Sequence, residues 1–292
     1  MKKLILIAVH LLLVKQLAFF GLQMHAQTTI VDPEWVFEDD FEGAESADFW
    51  LGGASNTYGG ACTSDAGYEG KVLRFNYPIN VGGNSFSEKR FKLPASEQVE
   101  MSYDLFVPAN YVRSEANHKN FSFWSGDYSV VGSNIAMLSE SWPVDAGGHP
   151  SLYIGEDGNN YGHSGVAGGK GKVIYPNNSG SWHKISVYLE LAKEEGDYGV
   201  MEIWRDGELL VATHMEEVSA KYGKPPVDQH IAYSSRGNFL DQGYLLGWSN
   251  GGFSEETVFC IDNFSMKTRS TVGESASIYR PSPPVDISIQ KN

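Results

Sequence analysis

Lysine, histidine, arginine and tyrosine side chains can move or hold protons at a carbon beside a carboxylate, and four residues of this chain are candidates for that work. The run Asn117-His118-Lys119-Asn120 sets a lysine and an imidazole between two amides, and Tyr153 and Arg236 lie further along. Breaking a C–H bond next to a carboxylate takes a base, a group that neutralises the carboxylate as the carbanion forms, and an acid for the departing oxygen. A tyrosine serves both proton transfers where a neighbouring cation lowers its effective pKa. Lys119 with Tyr153 meets that need, and His118 and Arg236 are the candidate carboxylate neutralisers.

Other chemistries are excluded by spacing. A retaining glycosidase needs two carboxylates about 5 Å apart on one strand face, and Glu38-Asp39-Asp40-Phe41-Glu42 lacks the ExDxxE pattern that would place them. No Ser/His/Asp elbow, phosphate loop or dinucleotide glycine fingerprint occurs. The eight histidines never fall at metal-ligand spacing on one strand, so a catalytic transition metal is not expected, and the expected chemistry requires no cofactor. A structural Ca²⁺ is a separate expectation: Asp40 and Glu42, with Asp39, would approach Asp262 if the first and last strands pair, and carboxylate oxygens suit a hard cation. Trp124, Tyr128, Trp142, Tyr188 and Trp248 are candidate surfaces on which sugar rings could stack.

These residues must be held by strands. In Gln98–Pro108, Val99, Met101, Tyr103, Leu105 and Val107 fall on one face and Glu100, Ser102 and Asp104 on the other. The same grammar marks Trp35–Glu42, Lys71–Pro78, Phe86–Pro94, Asn120–Trp124, Ser133–Glu140, Pro150–Glu156, Trp182–Ala192, Gly243–Phe253 and Thr257–Thr268, each predicted as a strand. Gly199–His214 predicts two strands hinged at Asp206-Gly207. Gly155–Gly171 reads as a long loop, and a helical turn is expected only at Met215–Tyr222, before Pro225 and Pro226. About a dozen strands without alternating helices make an all-β, two-sheet sandwich. The binding surface of such a fold is the concave face of one sheet and its rim loops.

The ends of the chain have their own character. Residues 1–26 pair an MKK start with an apolar stretch and a small-residue boundary after Ala26, the pattern of a secretory signal peptide. A single domain is expected over 27–269, followed by a flexible Ser/Pro-rich tail over 270–292. The expected destination is secreted or periplasmic, with no membrane association after cleavage. Removing the signal, which carries Lys2, Lys3 and Lys15 and no acid, takes the net charge from -14 to -17. Such acidity argues against a nucleic-acid partner, whose phosphates are met by clustered lysine and arginine. Cys62 and Cys260 either form a disulfide or remain two buried thiols.

Three segments in order, FEDDFE, then WHKISVYLELA with GVMEIWRDGELL, then GYLLGWSNGGF with VFCIDNFSM, resemble the concanavalin-A-like jelly roll. More narrowly they are similar to its alginate and glucuronan lyase branch. That resemblance implies a polysaccharide or oligosaccharide partner and β-elimination from a uronate. It implies that Lys119 matches the family lysine that faces the substrate groove. Met137-Leu138-Ser139-Glu140 then stands where the family brings a polar residue after a methionine, and Tyr153 where it brings a tyrosine pair. Ser139 and Glu140 are accordingly expected at the substrate. FSFWSGD replaces the family's glycine-rich continuation after the lysine, which keeps a non-catalytic, lectin-like or LamG-like carbohydrate-binding module as the alternative. The oligomeric state is open. A basic patch from Lys89, Arg90, Lys92, Arg113, His118 and Lys119 would have to draw a polyanion to so acidic a chain.

Overall fold

The computed structural model describes residues 35–112, 118–126, 134–141, 149–154, 162–165, 173–191, 193–194, 200–214, 234–237 and 239–269. For 134–141, 149–154, 162–165, 201, 211–214 and 236 it is the backbone that is described. The chain divides into two units, residues 1–32 and 33–292, and the described residues belong to the second.

Among the described residues fifteen strands follow in chain order: β1 (Trp35–Asp39), β2 (Trp50–Ala54), β3 (Asn56–Ala61), β4 (Lys71–Tyr77), β5 (Ser85–Ser96), β6 (Gln98–Val107), β7 (His118–Trp124), β8 (Asn134–Ser141), β9 (His149–Ile154), β10 (Gly162–Gly165), β11 (Ser181–Glu190), β12 (Val200–Arg205), β13 (Glu208–His214), β14 (Leu240–Ser249) and β15 (Thr257–Arg269). They form two antiparallel sheets. The first runs β13-β12-β11-β6-β15-β4-β3, with β1 added beside β15, and the second runs β10-β9-β8-β7-β14-β5-β2. Among the described residues the helical element is a 3-10 turn, Ser234–Arg236. The expected all-β sandwich is the architecture found.

Alternation builds the core. Val99, Met101, Tyr103 and Leu105 of β6, with Ile185, Val187 and Leu189 of β11, are buried in one cluster with Phe91, Phe121 and Phe123 of the second sheet. Aromatic rings bridge the layers: Phe49 stacks on Phe37 of β1 at 3.8 Å and on Phe91 of β5 at 5.5 Å. Such rings interdigitate as large, rigid apolar volume. The hairpin at Asp206-Gly207 is present, both residues having positive φ (53° and 77°) as the twist of a two-residue turn demands.

Four expectations change in detail. β1 stops at Asp39, because Phe41 turns the chain with a φ of 59°. β5 runs past Pro94 to Ser96, which pairs with Leu240 across a bulge; a proline at an irregular ladder removes no needed donor. β7 begins at His118 rather than Asn120, so His118 and Lys119 belong to the strand. The glycine-rich stretch contains β10, paired with β9. The helical turn expected at 215–222 lies outside the described residues.

Cys62 and Cys260 are joined in a disulfide spanning 198 positions. It lies in a small second cluster with Val72 and Phe106, against which Tyr68, Trp182 and Val258 pack.

Candidate functional site

Lys119 is placed by the two faces of β7. His118 and Asn120 turn toward the core: His118 is 1% exposed, stacks on Tyr175 at 4.5 Å, and sits among Tyr77, Tyr111, Phe253 and Phe259. Asn120 accepts a hydrogen bond from the Tyr103 hydroxyl at 2.9 Å and donates to the Tyr175 hydroxyl at 2.8 Å. The Tyr175 hydroxyl lies 3.0 Å from the Lys119 carbonyl, to which it donates. Lys119, between two inward residues, turns to the outer face. A register shift between Lys119 and Phe121 then returns Phe121 and Phe123 to the core.

On that outer face Lys119 meets β14 and β5. Gly247 has a φ of 122°, and a Cβ there would stand 2.9 Å from the Tyr244 ring and 3.5 Å from the Lys119 Cβ. The glycine thus lets β14 press against the lysine. Its carbonyl accepts a hydrogen bond from the Tyr77 hydroxyl at 2.8 Å, and that hydroxyl is 3.3 Å from His118 Nε2. The same core group therefore ties β14 to β7, the strand that carries Lys119. Across β14, Glu88 is nearly buried and accepts from Arg90 Nε at 2.6 Å. Burial pushes the Lys119 amine below its ordinary value of 10.5, and the Glu88 carboxylate pulls part of the way back.

Register places the remaining candidates. Lys119 pairs with Ser139, and Ser139 with Ser151; His118 pairs with Glu140. A neighbouring cross-strand row runs Arg90, Tyr244, Ser122, Met137, Tyr153 and His163. Tyr153 is thus two strands from β7, on the order of 10 Å by backbone spacing. Lys119, Ser139 and Tyr153 are brought to one region of the second sheet.

Other candidates are placed elsewhere. His118 faces the core and not the substrate side, because its ring completes the aromatic packing described above. Tyr188 is on β11 of the first sheet, between the core residues Val187 and Leu189, and its hydroxyl donates to Glu190; it shares no face with Lys119. Trp124 is on the second sheet but fully buried, 5.8 Å from the Tyr244 ring, so it offers no open face. Arg236 lies in the 3-10 turn. Tyr128, Trp142 and Arg113 lie outside the described residues. Among the described basic residues of the patch, Lys89 binds Glu45 and Arg90 binds Glu88, and alternation along β5 sets Arg90 and Lys92 on the face of Lys119.

The acidic candidates fare differently. β1 does pair with β15, yet the carboxylates are engaged: Glu42 accepts from the Lys71 amide at 2.7 Å, Asp40 from the Glu42 amide at 3.1 Å, and Asp262 from Tyr68 and the Asn263 amide. Burial raises the Asp262 pKa. Among the described residues no group of three or more His, Cys, Asp or Glu is arranged to hold a metal. A cavity of about 770 Å³ beside β1 and β15 is lined by Asp39, Asp40, Tyr58, Lys184 and Asn263. It is built from other strands than the Lys119 face, and Asp39 within it already accepts from Trp50 Nε1 at 2.6 Å and from the Tyr58 hydroxyl.

No protein-family model matches the chain, and no curated protein matches it. Solved structures do. The endo-β-1,4-glucuronan lyase from the fungus Trichoderma reesei aligns at 11% identity and a TM-score of 0.52, over 80% of this chain and 94% of that one. A variant of the alginate lyase Aly36B, in complex with alginate trisaccharide, aligns at 10% identity and a TM-score of 0.50, over 80% and 98%. The carbohydrate recognition domain of Emp46p aligns at 8% identity and a TM-score of 0.45, over 81% and 97%. The chain has the jelly-roll fold. At these identities the likeness is one of fold.

Within that jelly roll, Glu88, Tyr244 and Tyr175 were not singled out by motif. The signal for Glu88 was present: in Phe86-Ser87-Glu88-Lys89-Arg90-Phe91, alternation puts Phe86, Glu88 and Arg90 opposite the core residue Phe91. Tyr244 had no such signal, since Leu245 and Leu246 are both core residues, Leu246 with a φ of 59°.

Proposed function

We propose that the protein is an exported polysaccharide lyase that cleaves a uronate-containing glycan by β-elimination on the outer face of the second sheet. The observation that carries this reading is Lys119: a lysine depressed in pKa by burial, held on a sheet face by a buried hydrogen-bond network, with Tyr153 in the neighbouring row. Lowering the amine's pKa enlarges the share of free base, the form a general base requires. Lys119 takes the proton from the carbon bearing the carboxylate, and the electron pair forms the new C=C bond. The bond from the adjacent carbon to the glycosidic oxygen breaks, and Tyr153 protonates that oxygen. Arg90, whose guanidinium lies on this face beside Glu88, neutralises the substrate carboxylate as the carbanion forms.

The test is turnover of glucuronan and alginate by the purified chain, read as the ultraviolet absorbance of the unsaturated uronate product. Lys119→Ala is expected to lower kcat by roughly a hundred-fold or more with an unchanged circular dichroism spectrum. Wild-type rates in that variant would remove the lysine from the mechanism. A non-catalytic carbohydrate-binding module is the second reading, favoured by Glu88, whose charge favours the protonated amine. Binding of these glycans with no product in either would establish it.

A further inference from the structure

We infer that Trp248 and Phe86 form a sugar-stacking subsite beside Lys119, and that it selects a β-linked uronan with equatorial ring hydroxyls, of the glucuronan kind, over the guluronate blocks of alginate. This rests on the lyase reading and sharpens its substrate class.

Trp248 of β14 pairs with Phe86 of β5, their rings 4.4 Å apart and tilted by 31°. Trp248 is 36% exposed, more than any other aromatic side chain among the described residues. Its neighbours on the strand, Leu246, Gly247 and Ser249, are buried. Trp124 and Tyr244, on the same sheet, are closed to solvent. Among the described residues most other large rings are buried, and a ring left in water forgoes that apolar burial. The Phe86 ring packed beside it on the next strand supports it, so less ordering is lost when a ligand lands on the pair.

The position is fixed by register. Ser249, the next residue, pairs with His118, and the preceding Gly247 is the residue packed against the Lys119 Cβ. Trp248 therefore occupies the row of Lys119, one strand away, and that row continues through Ser139 to Ser151. A glycan lying across the strands with one unit at Lys119 would place a unit next to it over the Trp248–Phe86 pair.

The chemistry of that contact discriminates between sugars. A pyranose stacks on an aromatic face through C–H bonds directed at the ring. When every hydroxyl and linkage is equatorial, the axial C–H bonds make a flat apolar face. Guluronate units carry axial hydroxyls and axial linkages, which put hydrated oxygen where the ring would sit. Charge gives little help, because a net charge of -14 repels any polyuronate. Binding must then lean on contacts that charge does not set.

The test uses Trp248→Ala and Trp248→Phe with glucuronan oligosaccharides and with polyguluronate. Turnover is followed by product absorbance, and binding by affinity electrophoresis in a Lys119→Ala background. The wild type is expected to prefer glucuronan. Trp248→Ala should weaken glucuronan binding and raise its KM about ten-fold, acting on KM more than on kcat. Trp248→Phe should restore most of the loss, and polyguluronate should respond by less than about two-fold. Unchanged glucuronan binding in Trp248→Ala, or a wild-type preference for polyguluronate, overturns the inference alone. Glucuronan binding that depends on Trp248 without any product overturns the lyase reading and leaves the subsite standing. Absence of both binding and product overturns both.

Discussion

A charged amine withdrawn from water and a strand with two faces put Lys119 under opposing demands. Its folded pKa lies below that of an unfolded lysine, so the native state binds fewer protons than the unfolded one between those two values. Stability must rise with pH across that window, and below it the cost of the buried charge is paid in full. Lys119→Met is therefore expected to raise Tm near neutral pH, on the order of 2 °C, with the gain shrinking as pH approaches the ordinary lysine range. Thermal melts at several pH values check this, and a variant less stable at every pH would contradict it. If the free amine is the base, kcat/KM climbs with pH through an apparent pKa below 10.5 and the climb is absent in Lys119→Met. Behind the lysine, Asn120→Ala would strand the Tyr103 hydroxyl and remove the donor to Tyr175, whose own bond to the Lys119 carbonyl remains, at a cost of roughly 1–3 kcal/mol in urea denaturation.

At the scale of the element, what was legible and what was not divides at bulges. The alternation of Val99, Met101, Tyr103 and Leu105 declares β6 without ambiguity, and Asp206-Gly207 declares its hairpin. β7 resists such reading because His118 and Asn120 point inward as polar residues, and the register shift after Lys119 moves the inward-facing set from even to odd positions. A pattern with period two cannot reveal a residue inserted into the ladder. The inward direction of His118 was equally hidden, since only the assembled ring cluster of Tyr77, Tyr111, Tyr175, Phe253 and Phe259 makes it a core residue. β14 has the same difficulty at Leu246-Gly247, two consecutive residues with positive φ. Gly247→Ala should strain that turn by about 1–3 kcal/mol and push against Tyr244 and Lys119. It is expected to lower both Tm and turnover, whereas Gly207→Ala, with nothing within 4 Å of its added Cβ, should leave turnover unchanged.

For the whole molecule, charge and covalent closure matter most. An acidic chain acting on a polyanion should bind it better as salt rises, because screening weakens repulsion that extends past the site. KM for a polyuronate is expected to fall between about 10 and 150 mM ionic strength, the reverse of a basic polyanion binder. A rise in KM over that range would mean that Arg90, Lys92 and Lys119 dominate the approach. The Cys62–Cys260 bridge closes a loop of 198 positions, worth about 5 kcal/mol against the unfolded chain by loop entropy, and denaturation with and without reductant measures it. The same bridge makes most of the chain a ring. A protease that cuts once between the two cysteines opens the ring without releasing a fragment, so the nicked protein still migrates as one species until a thiol is added, and both sheets stay tethered through the cut.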